Sequence, residues 1–198
     1  MGLPTKIVLA SGNLGKVREI AELTAHLGVE IVPQSEFGVS DADETGTTFE
    51  ANALIKARHA AEATGLPAIS DDSGLAVDAL DGRPGVYSAR YAGPDASDDD
   101  NIDKLLGELG GTDERGAAFH CVACYVEPGD SEPVMAHGEW RGTILDARRG
   151  AGGFGYDPVF LDPESGRASA ELTPDEKNAR SHRGKALRAL VARLTAQD

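Results

Sequence analysis

Four segments of the chain combine small or flexible residues with charged ones, and each could do chemistry. The first, Ser11-Gly12-Asn13-Leu14-Gly15-Lys16, lies where a short apolar run gives way to helical spacing. Backbone amides at a helix N-terminus, with a lysine one turn later, suit a phosphate group. The P-loop spacing is absent. Taken alone, the segment therefore favours a capped helix with a surface lysine.

The second segment, Ser70-Asp71-Asp72-Ser73-Gly74, follows an apolar run at 66–70 that predicts a strand. Paired carboxylates suit a hard cation such as Mg²⁺. Adjacent residues at a strand end point in different directions, so we expect one of the two acids to face a metal. The polar stretch with Asp41, Asp43 and Glu44 could complete that site. Solvated aspartates in a turn and a loop are the alternative.

The third segment is the glycine-rich run 150–158, which contains Phe154, Gly155, Tyr156 and Asp157. Glycines allow a ligand to approach the backbone, and aromatic rings offer flat surfaces for stacking. Asp157 could accept a hydrogen bond from the edge of a base. The alternative is a flexible hairpin whose aromatic side chains lie in the core.

The fourth segment joins two predicted C-terminal helices and carries Lys177, His182 and Arg183. The two cationic side chains could bind a polyphosphate or a carbonyl oxygen. Pairing of Lys177 with the nearby acids Asp175 and Glu176 is the alternative. Together, phosphate-type donors, paired acids, a stacking loop and a basic corner indicate a metal-dependent nucleotide site.

Alternating strands and helices must position these segments. Periodicity and capping residues predict helices over 17–27 and 49–63, after Ser97, and from Thr173 to near the C-terminus. Apolar runs predict strands at 6–10, 29–33, 66–70, 117–126, 133–140 and 158–161. The segments LAVDAL and GVYSARY resemble a hairpin around Asp81-Gly82. We expect the acids at 98–100 to start a helix by complementing its dipole. The result is a mixed sheet with flanking helices.

Composition limits the class of partner. The 198 residues include 33 acidic and 19 basic side chains, giving a net charge of −14, which argues against binding to nucleic-acid polymers or anionic membranes. No apolar run reaches the roughly 20 residues of a membrane span. Cys121 and Cys124 lie in a β-like run and read as structural thiols. We therefore expect a protein of the reducing cytoplasm.

With these segments in place, the chain resembles the inosine triphosphate pyrophosphatase family, hydrolases of ITP, dITP and XTP. The matching stretches occur in the family's order and span nearly the whole chain. They are ASGNLGK (10–16), ETGTTFEANALIKA (44–57), SDDSGLAVDALDGRPGVYSARYAG (70–93), GGFGYDPVF (152–160) and ELTPDEKNARSHRGKAL (171–187).

The resemblance implies an α/β fold: a long, curved mixed sheet with flanking helices, forming one domain over 1–198 with two lobes and a central cleft. It implies Asp72 as the catalytic base and as a Mg²⁺ ligand, with Asp43 or Glu44 as a further ligand. It also implies a homodimer. The implied substrate contacts are Ser11, Gly12, Asn13, Leu14, Gly15, Lys16, Ser73, Phe154, Gly155, Tyr156, Asp157, Lys177, His182 and Arg183.

One position departs from the family pattern. Many members carry Glu-Asn early in the second helix, whereas Ala51 precedes Asn52 in this chain and Glu50 lies one place earlier. A shift of one residue rotates a side chain by about 100° around a helix. A nucleotide-binding module without turnover therefore stays open. A phosphomonoesterase or a pyrophosphatase for standard nucleotides is a second alternative.

Overall fold

The computed structural model of the protein describes residues 4–25, 28–129 and 132–196. Within these residues the strands form a mixed seven-stranded sheet in the order β2-β1-β3-β4-β5-β6-β7. Strand β1 pairs in parallel with β2 and β3, and β6 pairs antiparallel with β5 and β7. The strands are β1 Lys6–Leu9, β2 Glu30–Pro33, β3 Ala68–Val77, β4 Gly116–Val126, β5 Val134–Ile144, β6 Phe160–Asp162 and β7 Arg167–Ala168.

Five α-helices accompany the sheet in the described part of the chain: α1 Leu14–Thr24, α2 Phe49–Thr64, α3 Asp98–Glu108, α4 Pro174–Arg180 and α5 His182–Thr195. The predicted fold class, a mixed sheet with flanking helices, is confirmed. The helix predicted over 17–27 ends earlier, and Leu27 lies outside the described residues. None of the helices in the described ranges is long and apolar enough to cross a membrane.

The chain divides into two compact units. The first unit contains residues 1–72, 121–138 and 182–198, and the second contains 73–120 and 139–181. Strands β3, β4 and β5 contribute residues to both units. The single two-lobed domain over 1–198 stays a prediction, and its residues 1–3, 26–27, 130–131 and 197–198 lie outside the described ranges.

Two apolar clusters form the core of the first unit. Ile7 and Leu9 of β1 point into one cluster, and Val8, between them, points into the other. The cysteines of β4 follow the same alternation, since Cys121 lies in the first cluster and Cys124 in the second. Both are free thiols and both are buried. The interpretation of the C-x-x-C spacing as a pair of structural cysteines is therefore supported.

Gly138 of β5 lets the N-terminus of α5 approach the strand within the first unit. A Cβ atom added to Gly138 would lie 2.0 Å from the carbonyl oxygen of His182 and 2.6 Å from the amide nitrogen of Ala186. Only glycine permits such close backbone contact. The contact fixes where α5 begins and therefore where His182 and Arg183 lie.

The second unit is built around aromatic side chains. The Phe160 ring lies 4.6 Å from that of Phe119 and 5.0 Å from that of Trp140, between ring centroids. The predicted second strand of the hairpin in this unit is wrong, because Gly85–Arg90 forms a 3₁₀ helix, although one antiparallel bridge joins Ala76 to Pro84 across the turn. The Ser88 hydroxyl donates to the carbonyl of Gly85 and accepts from the amide of Leu75. These bonds hold the segment as a helical turn beside β3.

Candidate active site

Strand β3 separates the two adjacent aspartates of the first unit. It runs from Ala68 to Val77, so Asp71 and Asp72 lie inside the strand and not after it, as the sequence suggested. Both are buried. Buried carboxylates are tolerated only when they are paired, and each of these has its own set of cations. Successive strand residues face opposite sides, so the two acids serve different clusters.

Asp71 forms a cluster with two cations. Its Oδ2 lies 3.3 Å from Nζ of Lys16 and accepts a hydrogen bond of 3.1 Å from Nε of Arg183. Burial opposes ionisation of Asp71, but Lys16 and Arg183 outweigh it and hold the pKa of the carboxyl well below its usual range. The Sγ of Cys121 lies 3.8 Å from the same oxygen. Burial and the Asp71 charge raise the pKa of this thiol, so Cys121 is not an activated nucleophile.

Arg183 serves the interior of the first unit. Its side chain is only 2% exposed, and it pairs with Glu19 of α1 as well as with Asp71. The sequence predicted Arg183 as a ligand-facing cation and missed Glu19. Since two carboxylates already engage the guanidinium, its visible task is to fasten α5 to α1 and β3. His182, the first residue of α5, is also buried.

Asp72 belongs to a different charged cluster of the first unit from that of Asp71. Its Oδ1 accepts a 2.8 Å hydrogen bond from Nζ of Lys56, and its Oδ2 accepts one of 3.3 Å from Nδ2 of Asn52. Lys56 also donates to Oε1 of Glu44 at 2.7 Å. Burial raises the pKa of Asp72, and Lys56 opposes that rise. Burial would lower the pKa of Lys56, but Asp72, Asp71 and Glu44 raise it, so Lys56 stays charged.

The charged cluster around Asp72 has the donor groups of a cation site. Glu44 and Asp72 both lie within hydrogen-bond distance of one ammonium group, so their oxygens already converge on positive charge. Mg²⁺ is commonly held by one or two carboxylates together with substrate phosphates and water. The described residues contain no group of three or more His, Cys, Asp or Glu arranged around a metal. This donor set therefore suits a metal ion that two protein carboxylates hold together with oxygens from a substrate.

Of the two acids predicted as the second ligand, the structure brings Glu44 to Asp72 through Lys56. Asp43 is exposed, and its backbone carbonyl accepts from the amide of Thr45. Asp41 lies elsewhere, where it accepts a 2.6 Å hydrogen bond from Nε2 of Gln34. An oxygen of Asp41 would lie 2.5 Å from a Cβ added to Gly12, so this acid approaches the loop before α1.

The sequence of the loop before α1 was consistent with a phosphate site or with a capped helix and a surface lysine, and the structure has features of both. Asn13 caps the helix, because its Oδ1 accepts from the amides of Gly15 at 2.9 Å and Lys16 at 3.0 Å. Ser11 Oγ accepts from the amide of Asn13 at 3.3 Å. The lysine is not a surface lysine, since it pairs with the buried Asp71. A cap and a directed cation therefore occur together at this helix start.

Lys56 and Asn52 are the members of the Asp72 cluster that sequence reasoning missed. They lie four residues apart on α2, so they share one helical face. That spacing, downstream of the acidic loop, was the available signal. At the departure from the family pattern, Oε1 of Glu50 lies 3.5 Å from Nδ1 of His137. Glu50 therefore has a partner other than the Asp72 cluster.

The second unit contains the predicted base-binding residues. Asp157 accepts from the amide of Phe154 at 2.9 Å, from Nζ of Lys177 at 2.7 Å and from Oγ of Ser169 at 2.7 Å. The ammonium of Lys177 lies 4.7 Å from the centroid of the Phe154 ring. Asp157 and Lys177 are buried. The structure thus brings Phe154, Asp157 and Lys177 together, as predicted.

The structure also shows where three further predicted residues of this unit lie, namely Tyr156, Lys177 and Ser73. Tyr156 is buried and its hydroxyl donates to the carbonyl of Ser88 at 2.8 Å, so its ring belongs to the core. Lys177 does not pair with Glu176, which instead engages Arg167 and Thr173. Those bonds lower the pKa of the half-buried Glu176 to about 2. Ser73, the first residue of this unit, is half-buried in β3.

Comparison with known proteins gives matches that cover nearly the whole chain. A model of the Ham1 family matches residues 7–193. A dITP/XTP pyrophosphatase of Pectobacterium atrosepticum is 58% identical over 192 residues, covering 96% of this chain and 98% of the relative. One from Methylococcus capsulatus is 59% identical over 194 residues, covering 96% of each chain.

Solved structures give the same answer. A HAM1 protein from Coxiella burnetii superposes with a TM-score of 0.89 at 50% identity, covering 98% of this chain and all of the other. A nucleoside-triphosphatase, or dITP/XTP pyrophosphatase, from Mycobacterium abscessus gives a TM-score of 0.73 at 45% identity, covering 93% and 97%. The match over nearly the whole chain, in sequence and in fold, shows that this chain belongs to the Ham1 family.

Proposed function

We propose that this chain hydrolyses the non-standard purine nucleoside triphosphates ITP, dITP and XTP to the nucleoside monophosphate and pyrophosphate. The observation that carries the proposal is the setting of Asp72, a buried carboxylate oriented by Lys56 and Asn52. The names of the relatives, which are dITP/XTP pyrophosphatases, support the substrate class. Removal of such nucleotides from the cellular pool is the biological consequence.

In the proposed reaction, Asp72 is the general base. Water attacks the α-phosphorus, its proton passes to the Asp72 carboxylate, and the bond from the α-phosphorus to the bridging oxygen breaks to release pyrophosphate. A base works best when its pKa lies near the working pH, and burial raises the pKa of Asp72 in that direction. Lys56 limits the rise and its hydrogen bond to Oδ1 keeps the carboxylate oriented.

We propose Mg²⁺ as the cofactor, held by Asp72 and Glu44. When bound, it would neutralise phosphate charge and polarise the α/β linkage. The local charge balance supports this need. The charged clusters around Asp71 and Asp72 contain three cationic side chains, Lys16, Lys56 and Arg183. These cations already pair with four carboxylates, which are Glu19, Glu44, Asp71 and Asp72. A triphosphate therefore meets no surplus of positive charge from these side chains alone.

The second unit would select the purine. Phe154 offers a ring for stacking, with Gly155 and Tyr156 shaping its loop, and the ammonium of Lys177 lies against that ring. A 6-keto oxygen, as in hypoxanthine and xanthine, can accept from such a donor. An adenine amino group cannot, and each donor left unpaired costs about 1–3 kcal/mol. Ser73 and His182 stay predicted substrate contacts.

A turnover panel tests the proposed function. The purified protein is incubated with Mg²⁺ and with ITP, XTP, GTP, ATP or their deoxy forms, and pyrophosphate and orthophosphate are measured separately. We expect pyrophosphate from ITP, dITP and XTP, with much slower turnover of ATP. Binding without release indicates a nucleotide-binding module. Orthophosphate as the first product contradicts the mechanism and indicates a phosphatase.

Lys16→Ala is expected to weaken binding of ITP by about 10- to 100-fold, the value of a charge-assisted hydrogen bond. Binding of IMP should fall by less than about threefold, because Lys16 is proposed to contact the phosphate chain. Calorimetric titration of both ligands measures the difference. Lys6→Ala is the matched control, since Lys6 makes only an exposed pair with Glu30 in the same unit. Equal losses for the two ligands would count against the phosphate role.

We further propose a cytoplasmic homodimer. The two buried free thiols support a reducing compartment, and burial keeps them protonated by raising the pKa of Cys124 to about 12. The dimer rests on the family resemblance. Light scattering of the purified protein distinguishes it from a monomer.

A further inference from the structure

The acidic first turn of α3 contacts the glycine-rich loop, both within the second unit. From the sequence we expected the acids at 98–100 to share one role at the helix start, but in the structure each carboxylate has a different partner. Asp100 completes the capping box with Ser97. Asp99 accepts a 3.1 Å hydrogen bond from Nε of Arg148, at the start of the loop. Asp98 accepts one of 2.6 Å from the amide of Gly155, near its end.

These contacts fix the peptide groups on both sides of Phe154. The amide of Phe154 donates to Asp157, and the amide of the next residue, Gly155, donates to Asp98. Gly155 has a φ of +58°, a conformation that side-chain-bearing residues rarely adopt. One carboxylate is local and the other comes from 57 positions earlier in the chain. The loop turn at Phe154 is therefore held by a distant helix as well as by its own residues.

From this geometry we infer that Asp98 is a positioning residue for the purine-binding loop. Its carboxylate fixes the Gly155 peptide and so the orientation of the Phe154 ring against the ammonium of Lys177. The Gly155 amide is consequently committed to Asp98 and does not donate to the substrate. The inference rests on the proposed function, because it assigns the loop to the purine. It adds a residue that is not among the proposed phosphate-binding residues or the members of the Asp72 cluster.

The test compares Asp98→Ala with Asp100→Ala, a control from the same helical turn. Hydrogen exchange of the Gly155 amide is followed by NMR in the free protein, and KM and kcat are measured with XTP. For Asp98→Ala we expect Gly155 to exchange about tenfold faster, as for loss of one hydrogen bond to a charged group. KM should rise about tenfold with kcat within about twofold, because the loop binds ground state and transition state alike.

Asp98→Asn keeps an acceptor oxygen and should stay within about threefold of the wild type in both measurements. Asp100→Ala should lower the melting temperature through loss of the cap, with Gly155 exchange and KM unchanged. Equal shifts in the two alanine variants would reduce Asp98 to a helix-capping residue and overturn the inference. An active wild type whose KM does not change in Asp98→Ala overturns it as well. A wild type that hydrolyses no purine triphosphate overturns the proposed function instead, and the exchange data still report the anchor.

Discussion

Asp72→Asn is expected to lower kcat by roughly 100- to 10,000-fold, the contribution of a positioned general base. The substitution preserves the shape of the side chain and removes its ability to accept a proton. The fold should persist, because Lys56 keeps its 2.7 Å bond to Glu44. Single-turnover hydrolysis of XTP, together with circular dichroism, measures both effects. Near-wild-type turnover would falsify Asp72 as the base.

Stability and pH dependence sharpen this expectation. The pKa of Asp72 is raised above the unfolded value of 3.8, mainly by burial. An acid whose folded pKa is raised costs stability as the pH rises above the unfolded pKa, and the cost is complete above the folded pKa. Removing its charge should therefore not lower the free energy of unfolding at pH 7 through this term. In the wild type, the acid limb of kcat/KM should lie above pH 3.8, since turnover requires the ionised form.

Asp71→Asn is expected to lower the free energy of unfolding by about 3 to 5 kcal/mol at pH 7, the cost of breaking a buried ion pair from one side. Asp71 is 1% exposed and accepts from Arg183, which is 2% exposed. The variant removes one of the two carboxylates that pair with the Arg183 guanidinium and keeps the pair with Glu19. Urea denaturation at pH 7 measures the change, with Asp72→Asn as the neighbouring control.

The pH dependence of this second effect has a definite sign. Lys16 and Arg183 outweigh burial and hold the folded pKa of Asp71 below the unfolded value of 3.8. The stabilisation is therefore complete above that value and is lost as the pH falls through the folded pKa. The gap between wild type and variant should narrow below pH 4. A gap under about 1 kcal/mol at pH 7, or one that widens in acid, contradicts the assignment.

Local sequence patterns were enough to predict most elements. Helix α2 was predicted over 49–63 and runs from Phe49 to Thr64, because Thr48 caps its start and Gly65 ends it in a left-handed conformation. Such signals act within a few residues of the positions they determine. The 3₁₀ helix Gly85–Arg90 was misread as a strand because the bond that holds it, from the amide of Leu75 to Ser88, joins separate segments.

The site residues show the same contrast between local signals and contacts that join separate segments. The resemblance implied that Lys177 and Asp157 belong to one pocket, and the structure places Nζ of Lys177 2.7 Å from Oδ2 of Asp157. Glu19, Lys56 and Asp98 were missed, because their importance depends on partners 12 or more places away in the chain, whose distance no local pattern reveals. Arg183 was predicted to contact a ligand because its charge could serve a polyphosphate, and that contact stays a prediction. Burial, set by the packing of α5, makes it an internal partner of Asp71 and Glu19.

The adjacency of Asp71 and Asp72 on β3 makes catalysis a problem of strand alignment. Because side chains alternate across a strand, sliding β3 by one residue would exchange the two acids between the faces. A slide that brought Asp71 to the place of Asp72 beside Lys56 would carry Asp72 to the place of Ser73, away from its own partners. The parallel pairing of Val8 with Ala68 and Leu9 with Ile69 prevents this slide. Apolar residues of β1, with no chemistry of their own, therefore decide which aspartate is the base.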